Sequence, residues 1–456
     1  MTRLRLLHAI HDFLPRHVAG SEIYALELCG ELARRHDVFV VTAEYDPAAR
    51  HGAIRWRAYE GLPVIEIVNN WEADRFEDTY ASSRMTSQLS HVLDATRPQV
   101  LHVHNLLNLS FDLPRVARAR GIATVATLHD YTLVCASGGQ RVHVAESHVC
   151  HEIDTVRCSR CFSAAPVRAQ TVLAGLSRAP GGSLVRYAAS TGRRLLPVLT
   201  DAVARRLPIK GATPEQLAAR LRRGKQVFHD IDLSVAPSPS LAREYVRLGM
   251  DERRIEVSDY GFRPQSPVPR DRPRLPVRIG FVGTMAWHKG AHVLIDAASR
   301  LRGSFEVVIA GDPNVGPEYH ARLKRAAEGL PVRFEGPFAR SDVPRIYGGL
   351  DVLVVPSLWP ENSPLVIHEA FMHKLAVVGS RLGGIPDLVQ DGVNGLTYDA
   401  FSPEALALAL QRFLDDPGLA ERLASRAPAV KTITEDAHEW EARYEALLSA
   451  RAPVSA

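Results

Sequence analysis

"DVLVVPSLWPENSPLVIHEAFMHKLAVVGS", residues 351–380, decides how the rest of the chain is read. DVLVVPS is a short apolar run and predicts a buried strand. SPLVIHEAFMH has apolar residues at helical spacing, and LAVVGS is a second apolar run. Strand, helix and strand in that order are the unit of a parallel sheet. Between the first strand and the helix stands WPENSP, which serves no packing purpose. It puts Glu361 on a loop in front of the sheet, eight positions before Glu369 on the helix. Ser363 followed by Pro364 predicts a helix start, with Ser as N-cap and Pro at the first helical position. The amides of Leu365 and Val366 then lack intrahelical partners. Such an end suits a phosphate through its N–H groups and the helix dipole. Glu369, a turn further on, is placed to accept hydrogen bonds from sugar hydroxyls. Taken alone, the two glutamates also fit a solvated loop carboxylate and a surface helix carboxylate.

The same alternation runs outward in both directions. VRIGFVGT (277–284), FEVVIAGD (305–312) and VRFEGPF (332–338) predict strands, with helices over GAHVLIDAASRL (290–301), PEYHARLKRAAEG (317–329) and SDVPRIYGGL (341–350). In the first half, RLRLLHAIH, DVFVVTA, PVIEIV, QVLHVHN and ATVATLHD predict strands. GSEIYALELCGELARR and LPRVARARG predict helices, the second ending on a glycine. FRPQSPVPRDRPRLPV (262–277), rich in Pro and Arg, reads as a linker. The expected division is 1–258, a linker at 259–276, a second domain over 277–438, and a last helix at 439–456 that packs back on the first domain. Two doubly wound, Rossmann-like α/β domains joined in this way are expected to face a ligand cleft at the carboxyl ends of their strands.

The chain has 456 residues, 46% hydrophobic and 23% charged, an ordinary globular balance. No apolar run approaches the roughly 20 residues of a membrane span. The N-terminus reads as a first strand rather than a signal peptide, so a cytoplasmic location is expected. The net charge of +4 is unevenly placed. Residues 166–226 hold twelve Arg and Lys against Asp201 and Glu215, a local charge of +10. They lie in a helical insertion, 162–228. The charge fits an anionic membrane surface or a phosphorylated acceptor, and equally a solvated helical face. Nucleic acid is not expected, since no reading motif accompanies the arginines.

Three further stretches suit phosphate. FVGTMAWHKG (281–290) ends a strand at Gly283 and opens a helix at Lys289-Gly290, and lysine is a compact phosphate-binding charge. VAGSE (18–22) starts the first helix at Gly20, where the backbone can be approached closely. In SRLGGIPDLVQDGVNGLTYD, Gly383 and Gly384 follow a strand and permit tight contact. His129 ends a first-domain strand in TLHDY; a lone histidine there is more often structural, and His102 and His104 in VLHVHN are read as structural.

Taken in order, these motifs resemble the nucleotide-sugar glycosyltransferases of family 4, which have the GT-B fold and retain anomeric configuration. The resemblance covers nearly the whole chain, most firmly 277–400. It implies that Glu361 lies by the donor sugar and that Glu369 binds the ribose. It implies further that Lys289 neutralises the diphosphate, and that the amides of Leu365 and Val366, after Ser363, face the donor. Gly20 would approach the phosphates from the first domain, and His129 would lie near the sugar. Members of the family usually carry Arg where this chain has Thr284, so one diphosphate cation is missing; Lys289 must carry more, or His288 or Arg263 must help. The expected donor is a nucleotide-diphosphate sugar and the expected acceptor a glycan or lipid-linked hydroxyl in cell-envelope glycan, polysaccharide or glycolipid synthesis. No catalytic metal is expected. A nucleotide-sugar epimerase or hydrolase, or a non-catalytic sugar-nucleotide binder, fits the same scaffold.

Cys135, Cys150, Cys158 and Cys161 follow His129 within a short stretch, while Cys29 on the first helix reads as core. In a cytosolic chain this spacing argues for metal over disulfides, and Cys158-x-x-Cys161 is half of a zinc knuckle. Free thiols and an iron–sulfur centre are the alternatives.

Overall fold

The computed structural model describes residues 2–143, 146, 148–164, 212–266, 268 and 275–451. Most of the expected basic insertion, 165–211, lies outside them, as does most of the Pro/Arg-rich stretch. The chain divides into two compact units. The first comprises residues 1–237, 242–261 and 433–456, and the second 238–241 and 262–432.

The second unit is built on six parallel strands: β11 (Val277–Val282), β12 (Phe305–Ala310), β13 (Val332–Gly336), β14 (Val352–Val355), β15 (Ala376–Ser380) and β16 (Gly395–Tyr398). Their order across the sheet is β13-β12-β11-β14-β15-β16, that of a Rossmann dinucleotide-binding sheet. The sequence explains the strands directly. Every residue of β14 and β15 is buried, because helices cover both faces of a parallel sheet. One core face gathers Ile279, Phe281, Val307 and Ile309 with Leu294 and Leu410. The other gathers Val308, Leu353 and Val377 with Ile367 and Phe371. The order reverses between β11 and β14, so the loops leaving these two strands flank the switch point where ligands bind in such sheets.

The first unit holds an eight-stranded sheet in the order β10-β9-β6-β5-β1-β2-β4-β3. Its strands are β1 (Arg5–Ala9), β2 (Asp37–Glu44), β3 (Ile54–Tyr59), β4 (Leu62–Val68), β5 (Val100–Val103), β6 (Ala123–Thr127), β9 (Leu233–Ala236) and β10 (Ile255–Val257). A small separate hairpin pairs β7 (Val142–His143) with β8 (His148–Val149). All pairings in the large sheet are parallel except β3 with β4, a hairpin that turns at Glu60-Gly61, both in left-handed conformation.

The last helix, Ile433–Arg451, belongs to this first unit. Its Trp440 and Tyr444 are fully buried there. Tyr24 Oη donates to Asp436 at 2.8 Å and accepts from Trp440 Nε1 at 3.1 Å.

Where the basic segment re-enters the described residues it is structural rather than free. The helix Pro214–Asp230 is capped by Thr213 and carries Arg220, Arg222, Arg223 and Lys225. Arg220 is buried, donates to the Thr132 carbonyl at 2.7 Å, and lies over the Phe111 ring. Arg223 is paired with Asp112. These two charges are therefore not available to a membrane, which corrects the expectation for this end of the insertion. The cause is the planar guanidinium, which can stack and donate at once. Among the described residues no helix is long and apolar enough to cross a membrane.

Candidate functional site

In the second unit, the two loops at the switch point are held together by charge. Lys289 Nζ lies 2.7 Å from Glu361 Oε1, and the Ser357 hydroxyl donates to the same oxygen at 2.6 Å. Lys289 also sits 5.0 Å from the centroid of the Trp359 ring. Glu361 is only 6% exposed. A buried carboxylate needs such partners to stay ionised. An ammonium has three donors, and Glu361 occupies one of them.

The loops can approach this closely because of glycine. Gly290 adopts φ 77°, and a Cβ there would overlap the Pro356 carbonyl oxygen. The His288 carbonyl meanwhile accepts from the Leu358 amide at 2.7 Å. On the other side, a Cβ at Gly383 or Gly384 would collide with the backbone of Glu361 or Asn362. The Gly384 amide donates to the Glu361 carbonyl at 2.6 Å, and Ser380 Oγ to the Ser357 carbonyl at 2.7 Å. Sequence reasoning assigned Gly383 and Gly384 to the donor. Their bare Cα faces are filled by the loop carrying Glu361, which they help to hold.

The helix after the loop spans Leu365–Met372. Ser363 is not its N-cap. Pro364, at φ −64° and ψ 117°, takes that place, and the Ser363 hydroxyl pairs with His368 Nε2 at 2.8 Å. With Pro364 still extended, the helix starts one residue later than expected, and His368 claims the hydroxyl. His368 is itself stacked on Phe262 at 4.6 Å. The amides of Leu365 and Val366 remain the first of the helix, while that of Ile367 is taken by the Pro364 carbonyl at 3.0 Å.

Glu369 accepts from Tyr347 Oη at 2.7 Å. Burial raises its carboxyl above the usual range, and the Tyr347 hydrogen bond and the Arg340 charge oppose that rise. Neither Tyr347 nor Arg340 was singled out in the sequence. The only available signal was their place in ARSDVPRIYGG, which ends where β14 begins.

Thr284 is exposed, on the loop after β11. His288 does not replace the missing arginine: burial, helped by Lys289, lowers its pKa to about 4, so it is neutral near pH 7. Arg263 is exposed. Arg340, an exposed cation whose charge acts on Glu369, was not singled out in the sequence.

In the first unit, Gly20 opens the helix Gly20–Leu32 behind an extended Ala19. His129, just past β6, belongs to a row of stacked rings. His8 Nδ1 lies 3.0 Å from His104 Nε2, His104 Nδ1 lies 3.1 Å from His129 Nε2, and His129 Nδ1 lies 2.8 Å from Tyr260 Oη. His102 stacks beside them, held by Tyr444 at 2.6 Å and Thr127 at 2.8 Å. Burial lowers the pKa of His8 and of His129 to about 3, and those of His102 and His104 well below the ordinary value. The row is neutral. Its origin is register: His8 on β1 is the direct partner of His102 on β5.

Cys135, Cys150, Cys158 and Cys161 all line one small cavity beside the β7–β8 hairpin.

Comparison with known proteins places these features in context. The family described as "Glycosyltransferase Family 4" matches residues 18–154, and "Glycosyl transferases group 1" matches residues 276–416. A D-inositol 3-phosphate glycosyltransferase of Salinispora arenicola is 32% identical over 245 residues, covering 48% of this chain and 54% of the relative. That of Thermobifida fusca is 28% identical over 269 residues, 56% and 54% respectively. The chain thus spans about half the length of the curated relatives it matches. Among solved structures, Anabaena HepE in complex with UDP and glucose aligns with TM-score 0.61 at 16% identity, over 97% of this chain and 100% of that one. Sucrose-phosphate synthase of Thermosynechococcus elongatus aligns with TM-score 0.66 at 17% identity, over 98% and 100%. At these identities the likeness is one of fold, that of the GT-B glycosyltransferases.

Proposed function

Because the chain belongs to glycosyltransferase family 4, we propose that it moves a sugar from a nucleotide-diphosphate donor to an acceptor hydroxyl with retention of configuration. The Lys289–Glu361 pair at the switch point of a Rossmann sheet carries this reading. In such sheets the crevice at the switch point takes a nucleotide. Lys289 and the amides of Leu365 and Val366 are the positive groups for the diphosphate, and Glu369, braced by Tyr347, accepts from the ribose hydroxyls. HepE is recorded in complex with UDP-glucose, which supports a nucleotide sugar as the donor class.

In the proposed reaction the bond between the anomeric carbon and the phosphate oxygen breaks, and the diphosphate leaves with the electron pair. Fixed donors stabilise the departing charge. The acceptor oxygen bonds the same face of the sugar, and its proton goes to the leaving phosphate. Glu361, buried and hydrogen-bonded to Lys289 and Ser357, orients the sugar rather than attacking it. His129 and Gly20 enter this reading on the family resemblance alone. An envelope glycan or lipid-linked acceptor and a peripheral membrane location rest on the cations at 166–210, outside the described residues.

Thermal shift against UDP-, GDP-, ADP- and TDP-sugars tests the reading, because a ligand that binds only the native state raises its melting temperature. One nucleotide class is expected to stabilise the protein selectively, and E369A to lose that shift. The transferred sugar is expected to keep its anomeric configuration by NMR. Free monosaccharide released equally with and without acceptor would instead favour a hydrolase.

A further inference from the structure

We propose that Cys135, Cys150, Cys158 and Cys161 hold a structural zinc ion, and that buried Arg220 balances the charge of the resulting tetrathiolate. Three separate pieces of chain supply the ligands. Cys135 ends the turn after Tyr131, its amide bonded to the Tyr131 carbonyl at 2.8 Å. Cys150 follows β8, its amide bonded to the Arg141 carbonyl at 2.7 Å. Cys158 and Cys161 lie on the helix Thr155–Ala164, three residues apart and so on one face. None of the four is in a disulfide, and all line one cavity of about 30 Å³, the room of a single small occupant.

Other groups at this cavity are already engaged. The two ring nitrogens of His143 meet the Arg157 carbonyl at 3.2 Å and the Glu146 amide at 3.1 Å. Asp154 caps the helix, accepting from the Val156 amide at 2.9 Å. Glu152 also lines the cavity but is exposed, so the half-buried and buried donors left are four sulfurs, the soft set that selects zinc.

Arg220 is the second observation. It is 5% exposed, yet its partners among the described residues are a carbonyl and two aromatic rings, with no carboxylate in contact. A buried cation without an anion is costly. Cys135 and Cys158 are near enough for their charges to act on it, as are Tyr80 and Asp130. On binding, each thiol gives up one proton, and Zn²⁺ with four thiolates carries a net charge of −2. The buried guanidinium then faces a second anionic group besides the more distant Asp130 carboxylate.

The local fold shows why a staple is useful. The segment has two strands of two residues each, and among the described residues Phe162 of its helix packs in a small cluster with Ala212 and Leu217, flanked by Phe76 and Ala136. Small units that bury little are commonly held by metal. The staple begins just after the His129–Asp130 loop, where Asp130 accepts from the Thr132 amide at 2.7 Å.

The test uses the full, untagged chain produced in zinc-supplemented medium and analysed for metal by mass spectrometry. About one zinc per chain is expected, and C158S/C161S should retain about one tenth of it or less. R220Q should keep the four ligands but release zinc to a chelator at about tenfold lower chelator concentration. Should the cysteine variant not fold, titration of the wild-type chain with an organomercurial decides. Zinc, followed with a chromogenic dye, should leave as the thiols react, with about four thiols consumed per zinc. Substoichiometric metal, iron with visible absorbance, disulfides in the intact mass, or zinc that stays while all four thiols are blocked would each overturn the proposal.

Discussion

The two units meet the same topological problem in opposite electrostatic ways. At the switch point of the second sheet full charges are paired, Lys289 with Glu361. At the corresponding place in the first, between β1 and β5, imidazoles stack in a row and all are neutral. A paired charge can be exchanged for a ligand's charge, so the second unit suits an anionic nucleotide. A neutral hydrogen-bonded row fixes ring orientation without adding net charge to the first unit. The same strand geometry serves both uses because the loops and the inward-facing residues, rather than the sheet, carry the chemistry.

The comparison is open to experiment at several points. The largest effect is expected at the charge pair. E361Q should lower kcat about 10³-fold, roughly 4 kcal/mol of transition-state stabilisation, and K289A should act comparably. A variant within a few-fold of wild type, in a radiolabelled transfer assay, would remove the paired charges from the mechanism.

Next comes the packing behind the pair. Gly384→Ala should destabilise the second unit by about 2–3 kcal/mol, since the new methyl meets the Asn362 carbonyl. The readout is the urea midpoint of the transition reported by Trp359 fluorescence. An unchanged midpoint would mean the loop yields freely and does not hold Glu361 in place.

The histidine row makes a pH prediction with a definite sign. In the unfolded chain each histidine takes up its proton near pH 6.5. In the folded chain His129 and His8 do so only near pH 3. Between these values the unfolded state binds more protons, so stability falls as pH falls. The expected slope is about 1.4 kcal/mol per pH unit for each such histidine. H129N should flatten it by about one such increment between pH 6 and 4.5. Parallel profiles would show that His129 is protonated in the folded protein.

The smallest effect is expected at Tyr347. Y347F removes one hydrogen bond to Glu369 and should raise the donor KM about fivefold, near 1 kcal/mol, with kcat unchanged. A loss in kcat instead would give Glu369 a place in the chemical step rather than in ribose binding.

Much of this was legible in the sequence, and the gaps have physical causes. Strands such as DVLVVPS and LAVVGS announce themselves because a doubly covered parallel strand is apolar throughout. Lys289, Glu361 and Glu369 stood out because no packing need explains them where they occur. The edge hairpin β3–β4 went unseen in part, since IRWRAY is half exposed and lacks a continuous apolar run. Ser363 was misread as a cap because the competing His368 acts through a side-chain contact that local rules do not count. His102 and His104 were read as bland residues and His8 was not singled out, since the row they form with His129 comes together only through strand register across the sheet. Gly383 and Gly384 were correctly seen as sites of close approach, but whether chain or ligand approaches is a tertiary fact.

The last helix carries a consequence for how the molecule is made. Trp440 and Tyr444 complete the first unit's interior beside His102 and Tyr24, yet they are translated after the whole of residues 262–432. On the ribosome, the N-terminal sheet must wait with that face uncovered while the intervening unit is synthesised and folds. Truncation before residue 433, or a pause in the last codons, should therefore expose an apolar surface on the early-made half and send it to chaperones, although every strand of its sheet is already present.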